Sequence, residues 1–326
     1  MFEPFYNLSE QPFQLSPDPA FFYGSRGHKR AYAYLQYGLY QGEGFITLTG
    51  EVGAGKTTLI RNLLKQLDSS KVVAAQLVST QLDADDLLRA VAAAFGVAVK
   101  EQDKANLIAQ IESFMLSLVA KGRRPLLIVD EAQNLAPQAV EELRMLSNFQ
   151  LKNRALLQSF LVGQPELRNL MRGPQMQQLR QRVIAAYHLN ALDGDETRAY
   201  IEHRLKHVGW KGDPAFDEGT FDLIHAFTGG IPRQINTFCT RALLAAFLSD
   251  KHRIGLEEVQ HVIGEFKEEF GPAAPAKAPA QENDDPMAGL EKRIAGVERA
   301  IGITVNLLRQ VIRREQPQPE LKKKTR

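Results

Sequence analysis

The sequence predicts an α/β fold in which a parallel sheet is flanked by helices, followed by a small all-helical region, and three observations predict it. Short apolar runs alternate with segments of helical periodicity as far as residue 192. A glycine-rich loop stands between the first such run and a helix. From Asp193 onward the periodicity is helical only, as a second domain or lid requires.

The loop is Gly50-Glu51-Val52-Gly53-Ala54-Gly55-Lys56-Thr57-Thr58, which fits G-x-x-x-x-G-K-[ST]. It follows Phe45-Ile46-Thr47-Leu48-Thr49, which reads as a buried strand, and precedes Leu59-Ile60-Arg61-Asn62-Leu63-Leu64, which reads as a helix. Glycines let the backbone curl so that successive N–H groups and a helix N-terminus face one phosphate chain. Lys56 adds a point charge, and Thr57 offers a hydroxyl to Mg²⁺.

Composition bounds the rest. With 326 residues there is room for about two domains, and 44% hydrophobic content suffices for substantial cores. The single cysteine, Cys239, rules out an intramolecular disulfide and lies in an apolar pattern. No apolar run approaches the roughly 18 residues needed to cross a bilayer, and the start Met1-Phe2-Glu3-Pro4 lacks a signal peptide's basic region, so a cytoplasmic location is expected. The net charge of +2 hides an asymmetry: residues 286–326 carry +6 and the remainder −4. No broad nucleic-acid surface is indicated by these totals.

Before the loop, Phe5, Tyr6, Phe13, Phe21, Phe22 and Tyr23 are interleaved with prolines, and such aromatics must pack on something. Phe22 and Tyr23 are candidates to stand beside a nucleotide base, the alternative being a staple onto the domain. His28 opens a helix expected over 28–40 and receives no ligand role.

After the loop helix, a second strand is expected at Val72–Val78 and helices at 84–95 and 104–120. Pro125–Val129 is then a fully apolar strand ending in Asp130 and Glu131. A nucleotide hydrolase needs such a pair opposite its phosphate loop, Asp130 to order Mg²⁺ and Glu131 to polarise the attacking water. A helix at 137–150 leads to an apolar strand at 156–163 that ends at Gln164, where a polar side chain would lie beside Glu131 and orient water. Arg180 and Arg182 precede a last strand at 183–189 and are candidates for a finger reaching a neighbouring subunit's site. Helices are expected at 195–208, 218–227, 233–248 and 256–270, and Arg233, after the Gly229-Gly230-Ile231-Pro232 turn, would reach back to the nucleotide.

Residues 271–286 read as a Pro/Ala-rich linker. Beyond it Leu290, Ile294, Val297, Ile301, Thr304, Leu308 and Val311 form a heptad stripe on a helix at 287–314, followed by a basic tail at 315–326. Such a stripe needs a partner.

Together these pieces resemble an AAA+ ATPase. The segment Phe5-Tyr6-x-Leu8-x-Glu10-x-Pro12-Phe13-x-Leu15-x-Pro17-Asp18-Pro19, the Tyr37-Gly38-Leu39 turn, Gly44–Glu51, Val162-Gly163-Gln164-Pro165-Glu166-Leu167 and Gly229–Asn236 are similar to the general-secretion-pathway A-type ATPases, within them to the exosortase or PEP-CTERM group of exopolysaccharide loci. The resemblance covers roughly residues 2–270. It implies ATP and Mg²⁺ as cofactors, Lys56 and Thr57 on phosphate and metal, Asp130 and Glu131 as the acidic pair, Gln164 as sensor 1, Arg233 as sensor 2, and Arg182 or Arg180 as the finger. It further implies a homo-oligomer, ring or filament, serving export or assembly of exopolysaccharide or sorted surface proteins. Secretion-type members often continue into a membrane span and a wall-binding domain; neither is read here, so an envelope role is expected to run through a protein partner of the C-terminal helix, with the chain cytoplasmic or peripheral at the inner membrane. The competing reading is an ATP-dependent DNA-binding regulator similar to transposon target-selection ATPases, against which the acidic core argues.

Overall fold

The computed structural model describes residues 1–16, 18–78, 82–98 and 103–270. The linker, heptad helix and basic tail expected beyond residue 270 lie outside the described residues. Residues Met1–Glu269 form one compact unit.

The chain enters its sheet through helix α1 (Arg26–Gln41), strand β1 (Phe45–Gly50), α2 (Lys56–Gln66) and β2 (Val72–Val78). Two helices, α3 (Ala84–Ala94) and α4 (Lys104–Ala120), lead to β3 (Arg124–Asp130). Next come α5 (Pro137–Leu146), a hairpin of β4 (Gln150–Leu151) and β5 (Arg154–Ala155), and β6 (Gln158–Gly163). The short helices α6 (Glu166–Arg172) and α7 (Gln177–Arg180) precede β7 (Val183–Leu189). A main sheet of five parallel strands results, in the order β2-β3-β6-β1-β7.

The burial of each strand follows its place in this order. Strands β1 and β6 are buried along their whole length and β3 along all but Arg124, whereas the edge strands β2 and β7 are only partly covered. That is why the central strands read as largely apolar runs. Leu127, Val129 and Leu161 face a layer containing α3, α4 and α5, while Ile46, Leu48, Ile128 and Phe160 face α1 and α2. Close approach of α1 to β1 requires Gly38, where a Cβ would sit 1.5 Å from Ile46 Cδ1.

The hairpin is the main departure in this half. A helix expected to reach residue 150 stops at Leu146, and Lys152 and Asn153 adopt left-handed φ of 50° and 62° to turn the chain, so β6 starts two residues later than the apolar run suggests.

The remaining helices are α8 (Gly194–His207), α9 (Thr220–Thr228), α10 (Pro232–Leu248) and α11 (Leu256–Phe270), with a minimal parallel pair between β8 (Ala215–Phe216) and β9 (Arg253–Ile254). Helical periodicity gave no sign of that pair, whose strands are two residues each. Most N-terminal aromatics pack here: Phe2, Tyr6, Phe13 and Phe21 share a core with Ile201, Leu205, Phe238 and Leu243, while Phe22 packs against the α1 and α2 face of the sheet. Side chains of α8 and α10 fasten this strap by its backbone. Arg204 Nε donates to the Pro12 carbonyl at 2.6 Å, Asn236 Nδ2 to that of Gln14 at 3.2 Å, and Thr240 Oγ1 to that of Phe13 at 3.3 Å. The segment expected to belong with residues 1–192 is thus built into the lid core.

Phe13 is 1% exposed at the centre of this contact. Replacing it with alanine is expected to destabilise the fold by about 3–5 kcal/mol in denaturant unfolding; a loss below about 1 kcal/mol would show that the strap is not part of the core.

Candidate functional site

Three strand ends converge on one crevice. The register sets Thr49 of β1 beside Gly163 of β6, and Val129 of β3 beside Leu161 of β6, so the loop after β1, the acidic pair after β3 and the polar residue after β6 stand side by side at the carboxyl ends of the strands. A cavity of roughly 390 Å³ opens there. Gly53, Gly55, Lys56, Thr57, Thr58 and Glu131 line one side of it, and lid and strap residues the other.

The loop keeps its curl through two left-handed glycines, Gly53 at φ 83° and Gly55 at φ 97°. Gly50 passes so close to β7 that a Cβ would lie 2.6 Å from the Leu189 carbonyl. Ala54 is buried, whereas the Val52 side chain is exposed. Lys56 opens α2 and is itself buried; its Nζ donates to the carbonyls of Gly50 at 2.7 Å and Glu51 at 2.9 Å. Burial lowers the Lys56 pKa, and the carboxylates of Glu131, Asp130 and Glu51 oppose that shift.

Thr57 Oγ1 donates to Asp130 Oδ2 at 3.0 Å, while Asp130 Oδ1 accepts from the Glu131 N–H at 3.0 Å. Burial raises the Asp130 pKa, countered by these two hydrogen bonds. Paired hydroxyl and carboxylate oxygens fit Mg²⁺, which usually completes its shell with waters and substrate phosphates. No cluster of three or more His, Cys, Asp or Glu able to form an all-protein metal cage exists among the described residues. When bound, the metal neutralises charge on the phosphates, with Thr57 and Asp130 as the residues that would hold it.

Glu131 occupies a left-handed conformation at φ 53°, ψ 37°, a strained position for a non-glycine residue and one that clusters at functional sites. Its Oε2 accepts from Gln133 Nε2 at 2.6 Å and from Gln164 Nε2 at 3.1 Å. Gln133 Oε1 in turn accepts the Gln164 backbone N–H at 3.0 Å, so the two amides form a bracket around one carboxylate. Burial acts to raise the Glu131 pKa, but the two amide donors and the Lys56 charge outweigh it and leave it lowered. The adjoining carboxyls are therefore pushed in opposite directions, and Glu131 is the one kept ionised.

The lid closes on the same loop. Arg233 N–H donates to the Gly53 carbonyl at 3.2 Å, and a Cβ on Gly53 would lie 2.4 Å from that of Arg233. Arg233 lines the cavity and has no ion-pair partner among the described residues. Tyr23 and Phe22 line it too; Tyr23 packs edge-on to Tyr200 at 5.9 Å and against His203 at 5.5 Å. The strap is thus fastened to the lid and also forms a wall of the cavity.

Arg180 and Arg182 stand apart from this cavity. Arg180 Nη1 donates to the carbonyls of Met171 at 2.6 Å and Gly173 at 2.8 Å, clamping the end of α6. Arg182 Nη1 makes one bond, to Ser147 Oγ at 2.9 Å. Gln133 and His28 were not legible as site residues. Gln133 carries a signal only in its spacing two residues after Glu131, and His28, read as a surface or capping group, is buried under the loop.

This is the fold of an AAA+ P-loop ATPase, a class that binds ATP, typically with Mg²⁺, and hydrolyses it. A family model described as an AAA domain matches residues 39–171. More particularly, the chain is 42% identical over 255 residues to the general secretion pathway protein A of Aeromonas hydrophila, an alignment that covers 78% of this chain and 46% of that protein. The chain thus spans about half the length of that relative. Among solved structures it is similar in fold to the ORC2 protein of Aeropyrum pernix, in its ADPNP–ADP complexes, with 18% identity, a TM-score of 0.56 and coverage of 76% of this chain and 71% of that one. It is similar likewise to Cdc6p of Pyrobaculum aerophilum, with 18% identity, a TM-score of 0.57 and coverage of 76% and 70%.

Removing one arm of the amide bracket tests the assigned base. Gln133→Ala is expected to lower kcat about tenfold while leaving nucleotide affinity unchanged. Because a lost donor raises the Glu131 pKa and the base acts ionised, the acid limb of the kcat profile should move to higher pH. An unshifted limb would remove Glu131 from that role.

Proposed function

We propose that the chain hydrolyses ATP as a homo-oligomer and that hydrolysis drives or gates a secretion process at the cell envelope. The observation that carries the hydrolytic part is the Glu131 carboxylate held ionised between Gln133 and Gln164, beside Lys56 and the Thr57–Asp130 pair. Glu131 accepts a proton from the attacking water, Gln164 orients that water and registers the γ-phosphate, and Lys56 stabilises charge on the phosphates as they separate. Arg233, joined to the loop at Gly53, links nucleotide state to the position of the lid.

The secretion part is supported by the identity to the Aeromonas hydrophila protein, whose remaining half is not matched by this chain. The finer reading, export or assembly of exopolysaccharide or sorted surface proteins in an exosortase-type system, is supported by the motif resemblance alone. Residues 287–314, with their heptad stripe, are the segment proposed to contact an envelope partner. A cytoplasmic or peripheral inner-membrane site of action goes with that reading; among the described residues no helix is long and apolar enough to cross a membrane.

Arg182 is the finger in this proposal, since Arg180 is committed to two carbonyls of its own subunit. A finger acting across subunits can be worth about a thousandfold in rate. Arg182→Ala should therefore lose kcat on that scale, and mixing it with Lys56→Ala, inactive by itself, should restore measurable hydrolysis, because intact sites then meet intact fingers. Wild-type turnover by Arg182→Ala, or no recovery in mixtures shown to co-assemble, would remove the finger from this residue.

A further inference from the structure

The phosphate loop rests on a side chain that the hydrolytic scheme does not use. His28 lies in the first turn of α1 and is only 5% exposed. Ser25, the N-cap of that helix, accepts the His28 backbone N–H at 3.2 Å and lies 2.7 Å from the ring nitrogen Nδ1. A hydroxyl that has accepted from a backbone donor still has its own proton to give, so Ser25 can donate to Nδ1 of the tautomer whose ring proton is on Nε2. Burial lowers the imidazole pKa and favours this neutral form, with the Glu196 charge acting weakly the other way.

The Ala54 backbone acts on the ring to raise its pKa, as a carbonyl facing an imidazole N–H does, and Nε2 is the ring atom turned toward this stretch of the loop. The Ala54 N–H is already given to the Glu51 carbonyl at 3.1 Å, so the Ala54 carbonyl is the group that faces His28. Contact extends to the next residue. A Cβ on Gly55 would come within 2.7 Å of Nε2, and the left-handed φ of 97° there leaves the peptide few other restraints. Phe22, a wall of the cavity, meets the same imidazole edge-on at 5.6 Å.

A trans peptide is planar, with its C=O and N–H directed oppositely. We propose that His28 is a positioning residue for the phosphate loop: by holding the Ala54 carbonyl it fixes the Ala54–Gly55 peptide with the Gly55 N–H turned toward the cavity, as a donor to a nucleotide phosphate oxygen. Without that hold, a peptide flanked by glycine turns at little steric cost and the donor is lost. The inference rests on the ATPase reading of the same site.

Glutamine and asparagine at position 28 separate the two ring contacts. Gln Nε2 reaches about as far as the imidazole Nε2 and can still donate to Ala54, whereas the shorter Asn can reach Ser25 only. ADP affinity is measured by calorimetry for wild type, Lys56→Ala, His28→Gln and His28→Asn, together with kcat at saturating ATP. The expected result is ADP binding about tenfold weaker in His28→Asn, within about threefold of wild type in His28→Gln, and kcat nearly unchanged in both, because the contact acts on ground and transition states alike. Equal losses in the two variants, or wild-type affinity in His28→Asn, would overturn the proposal, as would failure of both variants to fold, which would make His28 a core residue only. Wild-type protein that binds ADP no better than Lys56→Ala would instead overturn the ATPase reading itself.

Discussion

The phosphate loop is held between two contacts that only glycine permits. Gly55 lies on the His28 imidazole and Gly53 lies under Arg233 at the start of α10, each so close that a Cβ would overlap the neighbour. Left-handed φ angles of 83° and 97° at Gly53 and Gly55 add backbone strain for any residue that carries a side chain. Since one contact reaches the strap and α1 and the other the lid, the loop's shape depends on three parts of the chain that are distant in sequence. Residues of all three line the cavity.

Burial is the largest single influence on Lys56, Asp130 and Glu131, and what decides their state is how each is compensated. Lys56 has two carbonyls and opposing carboxylates, Asp130 has a hydroxyl and a backbone donor, and Glu131 has two amides and the Lys56 charge. Only Glu131 ends with its charged form favoured. The carboxylate proposed to accept a proton from water is thereby distinguished from its neighbour, the one proposed to hold the cation.

Much of this was written in the sequence because it depends on local order. Strands β1, β3 and β6 are central and buried on both faces, so they read as apolar runs, and the groups that do chemistry fall at their carboxyl ends, where a parallel sheet places them. Lys56, Thr57, Asp130, Glu131 and Gln164 could accordingly be named from pattern and spacing. What could not be read depends on long-range packing. Phe2, Tyr6 and Phe13 stand at the start of the chain yet bury against helices that begin after residue 193, and no local period reports such a partner. Gln133 and His28 carry ordinary side chains whose roles come from what the fold sets against them, and the two-residue strands β8 and β9 are too short to leave a pattern. Of the two finger candidates the resemblance put Arg182 ahead of Arg180, and in the structure Arg180 is bonded to the carbonyls of Met171 and Gly173.

A Glu131 that acts on water and not on nucleotide binding is tested most directly by single-turnover hydrolysis by Glu131→Gln with ATP and Mg²⁺, alongside its ATP affinity. The expected rate is lower by a factor of about 10² to 10⁴, the usual contribution of a positioned general base, with affinity within about threefold of wild type. Hydrolysis at the wild-type rate, or a loss explained wholly by weakened binding, would contradict that action on water.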